Sequence, residues 1–155
     1  YCAGDPAVGA RFEAIRVEIL RQPRDLAKLR AEVVAMREKM LDAHASKDAD
    51  EFDLKQDRGG IIDVEFIVQY LVLGHASRHA ELTGNLGNIA LLRISGELGL
   101  IDPAQALAAG DAYREYRRLQ HATRLSATPN ANIPREQVEK HTAAVDRLWQ
   151  AVFGT

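Results

Sequence analysis

The residues of this chain best suited to chemistry are two carboxylates and an amide inside an otherwise apolar run. Between Ile61 and Leu73, only Asp63, Glu65 and Gln69 fall outside the apolar and aromatic types. Ionised groups are costly to bury unless a partner stabilises them. The pattern therefore indicates that these three side chains meet a polar partner.

The spacing of the two carboxylates argues against a shared metal ion. Residues two apart lie about 200° apart around a helix, so Asp63 and Glu65 cannot hold one ion from the same helix. Glu65 and Gln69 are four apart and share a face. We expect Asp63 to stabilise the N-terminal turn of the helix, and Glu65 with Gln69 to face another polar surface. No catalytic residue and no metal ligand is assigned.

A double glycine, Gly59 and Gly60, directly precedes this helix. Glycines allow a tight turn and a close approach of the backbone to another group. One alternative is a phosphate held at the helix N-terminus, with Lys55 and Arg58 adding positive charge. The other is a tight turn into the helix, which explains the two glycines equally well.

Two histidines raise a separate metal hypothesis. His75 and His79 are four residues apart, which is a spacing that metal ligands use. They lack an HExxH pattern and an obvious third ligand, and histidines at the end of a helix commonly bond free carbonyl groups. The interpretation of the two histidines as bonding partners of the helix end is therefore favoured.

The single Cys2 cannot form an internal disulfide.

A later segment interleaves basic and aromatic residues, namely Tyr113, Arg114, Tyr116, Arg117, Arg118, His121 and Arg124. Such a segment can bind nucleotides or nucleic acid, or it can be the solvated face of a helix with Leu119 and Leu125 pointing inward. The net charge of −2, from 20 basic and 22 acidic residues, argues against nucleic acid. A candidate partner surface remains for a phosphate-bearing ligand or an acidic protein, formed by Arg114, Arg117, Arg118 and Arg124.

The elements that must position these residues are helices. The chain is 46% hydrophobic and only 6% aromatic, a balance that suits packed helices. Val8, Phe12, Ile15 and Ile19 predict the inward face of a first helix that ends before Pro23. Leu26, Leu29, Val33, Met36 and Met40 predict the inward seam of a second helix, whose charged back comprises Lys28, Arg30, Glu32, Arg37, Glu38 and Lys39.

The third helix, from about residue 60 to 73, is apolar nearly all round and is predicted to lie at the centre. A fourth covers 89–98 and ends at Gly99, and a fifth starts with Asp102 and Pro103 and runs to about 125. Pro134 opens a last helix whose inward face is Val138, His141 or Thr142, Val145, Leu148 or Trp149, and Val152. Loops are predicted at 45–51 and 128–133, a short extended piece at 52–56, and no sheet. The predicted fold is a single all-α domain over 1–155, a bundle of about six helices in which four long ones form an up-and-down core.

The run LKQDRGGIIDVEFIVQYLVL closely resembles the helical region of the bifunctional glutamine synthetase adenylyltransferases/adenylyl-removing enzymes. The shared pattern, LK-x-x-x-GGI-x-D-x-EF-x-x-QYLVL, includes Lys55, Gly59, Gly60, Asp63 and Glu65. Residues 9–20, 36–40 and 112–125 resemble the same family, as does the ending with Trp149 and Phe153. A lysine followed by GG-x-x-D is also similar to a motif of the uridylyltransferases that modify PII signal proteins.

The resemblance implies two nucleotidyltransferase domains in a longer protein, each followed by a helical domain. One half attaches AMP from ATP to glutamine synthetase and the other removes it by phosphorolysis, with magnesium, under the control of PII proteins and glutamine. Because the chain begins at Tyr1 and ends like the family, we expect a fragment that follows the second nucleotidyltransferase domain; placement after the first is the alternative. The metal-binding acids would then lie upstream, and this domain alone would not transfer AMP.

The resemblance also implies a role and a set of partners. The domain is expected to pack against its own catalytic domain, to wall the nucleotide or substrate cleft and to carry regulatory signals. The residues expected on that surface are Lys55, Gly59, Gly60, Asp63, Glu65 and Gln69. Glutamine synthetase and a PII signal protein are expected partners of the parent, and an interaction module docking either protein is the alternative function. No signal-peptide pattern and no apolar run long enough for a bilayer is present, so a cytoplasmic location is expected, with neither nucleic acid nor membrane as a partner.

Overall fold

A computed structural model describes residues 3–44, 50–125 and 132–154 as a helical bundle. The α-helices of these ranges are α1 (Pro6–Leu20), α2 (Leu26–His44), α3 (Ile61–His75), α4 (Asn88–Glu97), α5 (Pro103–Leu125) and α6 (Glu139–Phe153). Two short 3₁₀ turns cover Ala80–Thr83 and Arg135–Gln137. The predicted all-α fold of about six helices is confirmed.

Aspartates cap the starts of α1 and α5, and the second of these caps is predicted from the sequence. Oδ1 of Asp5 accepts from the N–H of Ala7 at 2.8 Å, with Pro6 as the first helical residue of α1. Asp102 accepts from the N–H of Gln105 at 2.9 Å at the start of α5. Such side chains bond N–H groups that lack an intrahelical acceptor.

Helix α3 lies at the centre, and its buried residues include Ile61, Val64, Ile67, Val68 and Leu71. It contacts α2, α4, α5 and α6. Val138, directly before α6, is buried, as are Val145, Leu148 and Trp149 on it, which confirms most of the predicted inward face. The central position follows from an apolar surface that extends nearly round the helix.

The structure contains a small sheet that the sequence analysis did not predict. Strand β1 (Glu51–Asp53) pairs antiparallel with β2 (Asn132–Pro134), with Phe52 opposite Ile133. Both of these apolar side chains are buried. The loop predicted at 128–133 was therefore wrong at its last two residues; residues 128–131, like 45–49 of the other predicted loop, lie outside the described residues.

The last helix also starts later than predicted. Pro134 belongs to β2, and α6 begins at Glu139 after the second 3₁₀ turn. The guanidinium of Arg135 lies 5.3 Å from the ring centre of Phe52 and donates to the carbonyl of Glu51 at 2.9 Å. Side-chain contacts with β1 thus hold this segment away from a helical start.

The predicted inward face of α1 was wrong. Val8, Phe12, Ile15 and Ile19, hereafter the α1 stripe, are between 46% and 66% exposed. Gly9 is the buried residue of this helix. A periodic pattern of apolar residues places them on one face of a helix, but it does not say whether that face packs within the domain.

Two further predicted orientations were wrong. On α2, Met36 is exposed, whereas Arg37, assigned to the charged back, is wholly buried. On α5, Leu119 is buried as predicted, but Leu125 is exposed at the end of the helix. Within the described ranges, no helix is long and apolar enough to cross a membrane.

Candidate functional site

The chain enters α3 through a turn that Asp53 organises. Oδ1 of Asp53 accepts hydrogen bonds from the N–H groups of Lys55 at 2.8 Å and Gln56 at 2.9 Å. The carbonyl of Asp53 accepts from the N–H of Asp57 at 3.2 Å. Aspartate favours such turns because its short carboxylate reaches the backbone two residues further on.

The two glycines allow two close approaches within the domain. Gly59 has a φ of +79°, and a Cβ there would lie 3.1 Å from Cα of Thr142 on α6. A Cβ at Gly60 would lie 2.8 Å from the carbonyl oxygen of Leu54, closer than side-chain carbons pack. The predicted close backbone approach is confirmed, and the neighbouring groups belong to this same domain.

Asp63 is buried in the first turn of α3. Its Oδ2 accepts from the N–H of Gly59 at 2.6 Å, and its Oδ1 is paired with Nε of Arg37. The expected N-terminal role is confirmed, and the polar partner is a buried guanidinium. Both carboxylate oxygens of Asp63 are thus bonded to partners within this domain.

Arg37 is the residue of this site that the sequence analysis missed. Its Nη2 donates to the carbonyl oxygens of Gln56 at 2.8 Å and Asp57 at 3.1 Å, so one side chain joins α2 to the turn and to α3. The available signal was its position four residues after Val33, on the same helical face. We call the group of Arg37, Gly59, Gly60, Asp63 and Tyr116 the α2–α3 joint.

The N–H groups at the start of α3 already have acceptors. Besides Gly59, which donates to Asp63, Gly60 donates to the carbonyl of Asp57 at 3.1 Å and Ile61 to that of Leu54 at 2.9 Å. An anion at a helix N-terminus needs these groups free. The structure therefore supports the tight-turn alternative over the phosphate site.

Helices α5 and α6 complete the α2–α3 joint. The hydroxyl of the buried Tyr116 donates to the carbonyl of Gly59 at 2.8 Å, and burial, with the charges of Asp146 and Asp63, raises its pKa. Burial also raises the pKa of Asp146, as does the charge of Asp63, while Arg58 opposes the shift. The carboxylates of Asp63 and Asp146 thus lie near the same turn, where their negative charges oppose each other.

Glu65 and Gln69 extend from α3 towards the surface. Oε1 of the half-buried Glu65 accepts from the hydroxyl of Tyr113 at 3.1 Å, which in turn accepts from Nδ2 of Asn88 at 3.0 Å. The pKa of Tyr113 is raised, mainly by burial. Gln69 is exposed and lines a hollow of about 300 Å³ with Arg16 and others.

The six residues expected on an interdomain surface therefore divide into two groups. Gly59, Gly60 and Asp63 are buried in the α2–α3 joint. Lys55 and Gln69 are exposed, and Glu65 is partly exposed. Only the second group has side chains exposed at the surface of this domain.

The arginines of α5 bond mainly to neighbours on their own helix. Arg114 pairs with Asp111 at 2.5 Å, and Arg118 binds both carboxylate oxygens of Glu115, at 2.8 and 2.6 Å. The hydrogen bond from Arg118 lowers the pKa of Glu115. Arg117 donates to Oε1 of Gln120 at 3.2 Å, and Arg124 is exposed in the last turn.

A hollow of about 420 Å³ opens between α4 and α5. Its apolar wall includes Ile89, Ala106 and Leu107, and Arg93 and Arg114 lie at its border. An adjoining hollow shares Ile89 and Arg93 and is lined by Arg117 as well. Both guanidinium groups of the first hollow are in exposed ion pairs, which contribute little to stability.

The structure does not support a metal site at the two histidines. His75 lies in the last turn of α3 and His79 at the start of the following 3₁₀ turn. Burial, and then the charges of His79 and Arg78, lower the pKa of His75. Among the described residues, no group of three His, Cys, Asp or Glu side chains could hold a metal ion.

A known protein family matches the part of the chain that contains the α2–α3 joint. The family model described as GlnD PII-uridylyltransferase matches residues 27–133. That range includes the turn, α3, α4 and α5, and thus every residue of the α2–α3 joint.

Full-length similarity runs to proteins named bifunctional glutamine synthetase adenylyltransferase/adenylyl-removing enzyme. The one from Aromatoleum aromaticum is 58% identical over 155 residues, which is 100% of this chain and 16% of the relative. Those of Bordetella bronchiseptica and Nitrosomonas europaea are 54% and 50% identical over 99% and 100% of this chain, and 16% and 18% of their own lengths. The chain thus spans less than a fifth of the length of these curated relatives.

Proposed function

The chain belongs to the GlnD PII-uridylyltransferase family and is related along its whole length to bifunctional glutamine synthetase adenylyltransferases, and from this premise we propose that it is a helical accessory and regulatory domain of such an adenylyltransferase. The identity of 58% across all 155 residues carries the proposal. The geometry agrees with an accessory role, because the conspicuous acid Asp63 is occupied by Arg37 and Gly59.

The activity belongs to the longer protein. Its proposed reactions are the transfer of AMP from ATP to glutamine synthetase and the removal of that AMP, in control of nitrogen assimilation. Magnesium and ATP are the proposed cofactors of the parent, whose metal-binding carboxylates would lie in its nucleotidyltransferase domains. We place this domain after the second of these and the protein in the cytoplasm.

The domain's own proposed contribution is a wall of the nucleotide or substrate cleft. Lys55, Glu65 and Gln69 supply a cation, an anion and an amide at the surface, within three turns of the rigid α2–α3 joint. A positioned surface on a rigid scaffold lets remote contacts orient a substrate.

Rates of AMP transfer to glutamine synthetase and of AMP removal, measured with the full-length polypeptide that carries this chain, test the proposal. We expect Lys55→Ala together with Gln69→Ala to lower at least one rate by about tenfold. Lys28→Ala is the matched control, since Lys28 is exposed on α2 and its ion pair with Glu32 is 3.9 Å long. A full-length protein that incorporates no AMP would refute the parent activity, and unchanged rates in the double variant would refute the cleft role.

A second candidate function is a docking module for a PII signal protein or for glutamine synthetase. The second hollow, lined by Ile89, Arg93 and Arg117, favours it, because an apolar wall flanked by arginines suits an acidic protein surface. Binding of the 155-residue chain to either protein should weaken with Arg117→Glu, which alters the second hollow. Arg118→Glu is the control, since Arg118 lines neither of the two hollows and pairs with Glu115. Equal binding by both variants, or no binding by the wild type, would count against this candidate.

A further inference from the structure

Helix α1 is held to the domain by a face of mixed polarity. Gly9 is buried, and Glu13, Arg16, Val17 and Leu20 are half-buried. Nη2 of Arg16 donates to the carbonyl of Thr83 at 2.7 Å and pairs with Glu13 at 2.9 Å. These residues follow the spacing of one helical face.

The α1 stripe lies on the adjacent face. Each stripe residue precedes a residue of the contacting face by one position, as Phe12 precedes Glu13, so the two faces are about 100° apart around the helix. A surface helix ordinarily turns its apolar face inward. Here the packing is made by the neighbouring face and leaves the apolar one free.

Four large apolar side chains in a row on one helix are unusual on a free surface. Contiguous exposed apolar patches mark interaction sites. Asp5 caps the start of helix α1. Near its end, the guanidinium of Arg24 donates to the carbonyls of Ile19, at 3.1 Å, and of Leu73, at 3.2 Å. The α1 stripe is therefore presented on a fixed helix.

The size of the α1 stripe indicates what kind of partner covers it. A stable interface between separate chains needs about 800 Å² and about 20–30 residues on each side. Four side chains supply much less than that. A domain of the same polypeptide needs less, because tethering supplies a high effective concentration.

We propose that the α1 stripe docks against an apolar surface of the nucleotidyltransferase domain of the same longer polypeptide. The inference rests on the proposed function, since it takes the partner from the longer polypeptide proposed there, and this chain covers only 16–18% of the length of its relatives. It places the main interdomain contact on α1, away from the α2–α3 joint. Lys55, Glu65 and Gln69 are then left to face the cleft.

Hydrogen exchange of α1, followed by mass spectrometry, tests the contact independently of activity. The 155-residue chain and the full-length polypeptide that carries it are compared. We expect the amides of α1 that follow Pro6 to exchange at least about tenfold more slowly in the full-length protein. Phe12→Glu should remove that protection, because it places a charge in an apolar contact.

Ala14→Glu is the matched control. It adds the same charge to the same helix, at an exposed position about 200° from Phe12. We expect it to leave the protection of α1 in place. Equal loss in both variants would overturn the proposal, since it would show a general effect of charge on the helix.

Two further results would overturn the proposal, and one would separate it from the proposed function. Identical exchange of α1 in the short and full-length proteins would overturn it. So would a dimer of the 155-residue chain, seen by light scattering and abolished by Phe12→Glu, since the occupant would be a second copy. Protection of α1 in a full-length protein that transfers no AMP would support the contact and refute the function.

Discussion

The α2–α3 joint and the α1 stripe reverse the usual distribution of residues. In the α2–α3 joint, charged and polar groups such as Arg37 and Asp63 are buried. In the α1 stripe, apolar side chains such as Phe12 are exposed. Polar groups survive burial when partners within the domain stabilise them, whereas exposed apolar groups gain stability only from a body outside it. The first region therefore serves this domain's own fold, and the second carries the contact that we propose beyond it.

The contrast separates residues that stabilise the fold of this domain from residues that are exposed on its surface. The glycines and the acid of the central motif shape the entry into α3. The contacts with other bodies that we propose involve residues on α1, on the exposed side of α3 and on α5. Substitutions in the two regions should consequently differ in their effects on the stability of the isolated chain.

The largest expected effect is at the buried ion pair. Arg37→Met leaves Asp63 buried without its cation, so the free energy of unfolding should fall by about 3–5 kcal/mol, measured by urea denaturation. Arg30→Met on the same helix is the control, since Arg30 is exposed and donates to a neutral carbonyl, that of Phe153, and should cost about 1 kcal/mol. Adding Asp63→Leu to Arg37→Met should restore part of the stability, because no unpaired charge is then buried. Equal losses in the two single variants would contradict a buried pair.

A smaller loss is expected from filling the close approach at the turn. Gly60→Ala places a Cβ 2.8 Å from the carbonyl oxygen of Leu54 and 2.9 Å from that of Asp57, so the backbone must shift, at a cost of about 1–3 kcal/mol. Gly110→Ala is the control within α5, where the Cβ would lie 3.5 Å from Cγ2 of Ile89. That change should be neutral or stabilising by up to about 1 kcal/mol. Thermal unfolding of both variants measures the two changes in stability. A Gly60→Ala variant as stable as the wild type would show that the turn is loosely packed.

The pH dependence of the free energy of unfolding should reveal the effect of Asp146, the second carboxylate near the turn into α3. The raised pKa of Asp146 means that its folded form binds a proton more tightly than its unfolded form, whose ordinary value is 3.8. The contribution of Asp146 to the free energy of unfolding should therefore fall as the pH rises from that value through the raised pKa. Asp146→Asn should be more stable at neutral pH by less than about 1 kcal/mol, since the group is only partly buried, and the difference should vanish near pH 3. A variant less stable than the wild type at pH 7 would show that the carboxylate is favourably paired.

The smallest effect is expected at the α1 stripe. In the isolated chain, Phe12→Ala should change the free energy of unfolding by no more than about 0.5 kcal/mol, because Phe12 is 63% exposed. Phe153→Ala, the same substitution at a buried site next to Trp149, should cost about 3–5 kcal/mol. Urea denaturation of both gives the comparison. A loss above 1 kcal/mol in Phe12→Ala would mean that the α1 stripe already packs within this domain.

The sequence predicts the helices well because caps and apolar periodicity are local signals. Pro103 and Asp102 give the start of α5, and Gly99, with a φ of +71°, lies just beyond the end of α4. The sheet escapes prediction because Phe52 and Ile133 are far apart in sequence and each strand has only three residues. Pairing over such a distance leaves no periodic trace in either strand.

The candidate site is predictable in part for a similar reason. Asp63 and Gly60 are identified by their types and by their place at the start of an apolar helix. The inward turn of Arg37 is not, because charged residues rarely lie buried and its partner is on another helix. The exposure of the α1 stripe is not predictable either, since periodicity alone does not distinguish the core of a domain from a neighbouring one.

Amide hydrogen exchange of the isolated 155-residue chain, resolved by residue in NMR, tests the contrast between the two regions most directly. The N–H of Gly59, buried and bonded to Asp63 at 2.6 Å, should exchange only through global unfolding. The N–H groups of Phe12 and Ile15 should exchange much faster, through local opening of α1. Equal rates for Gly59 and the residues of the α1 stripe would contradict the account.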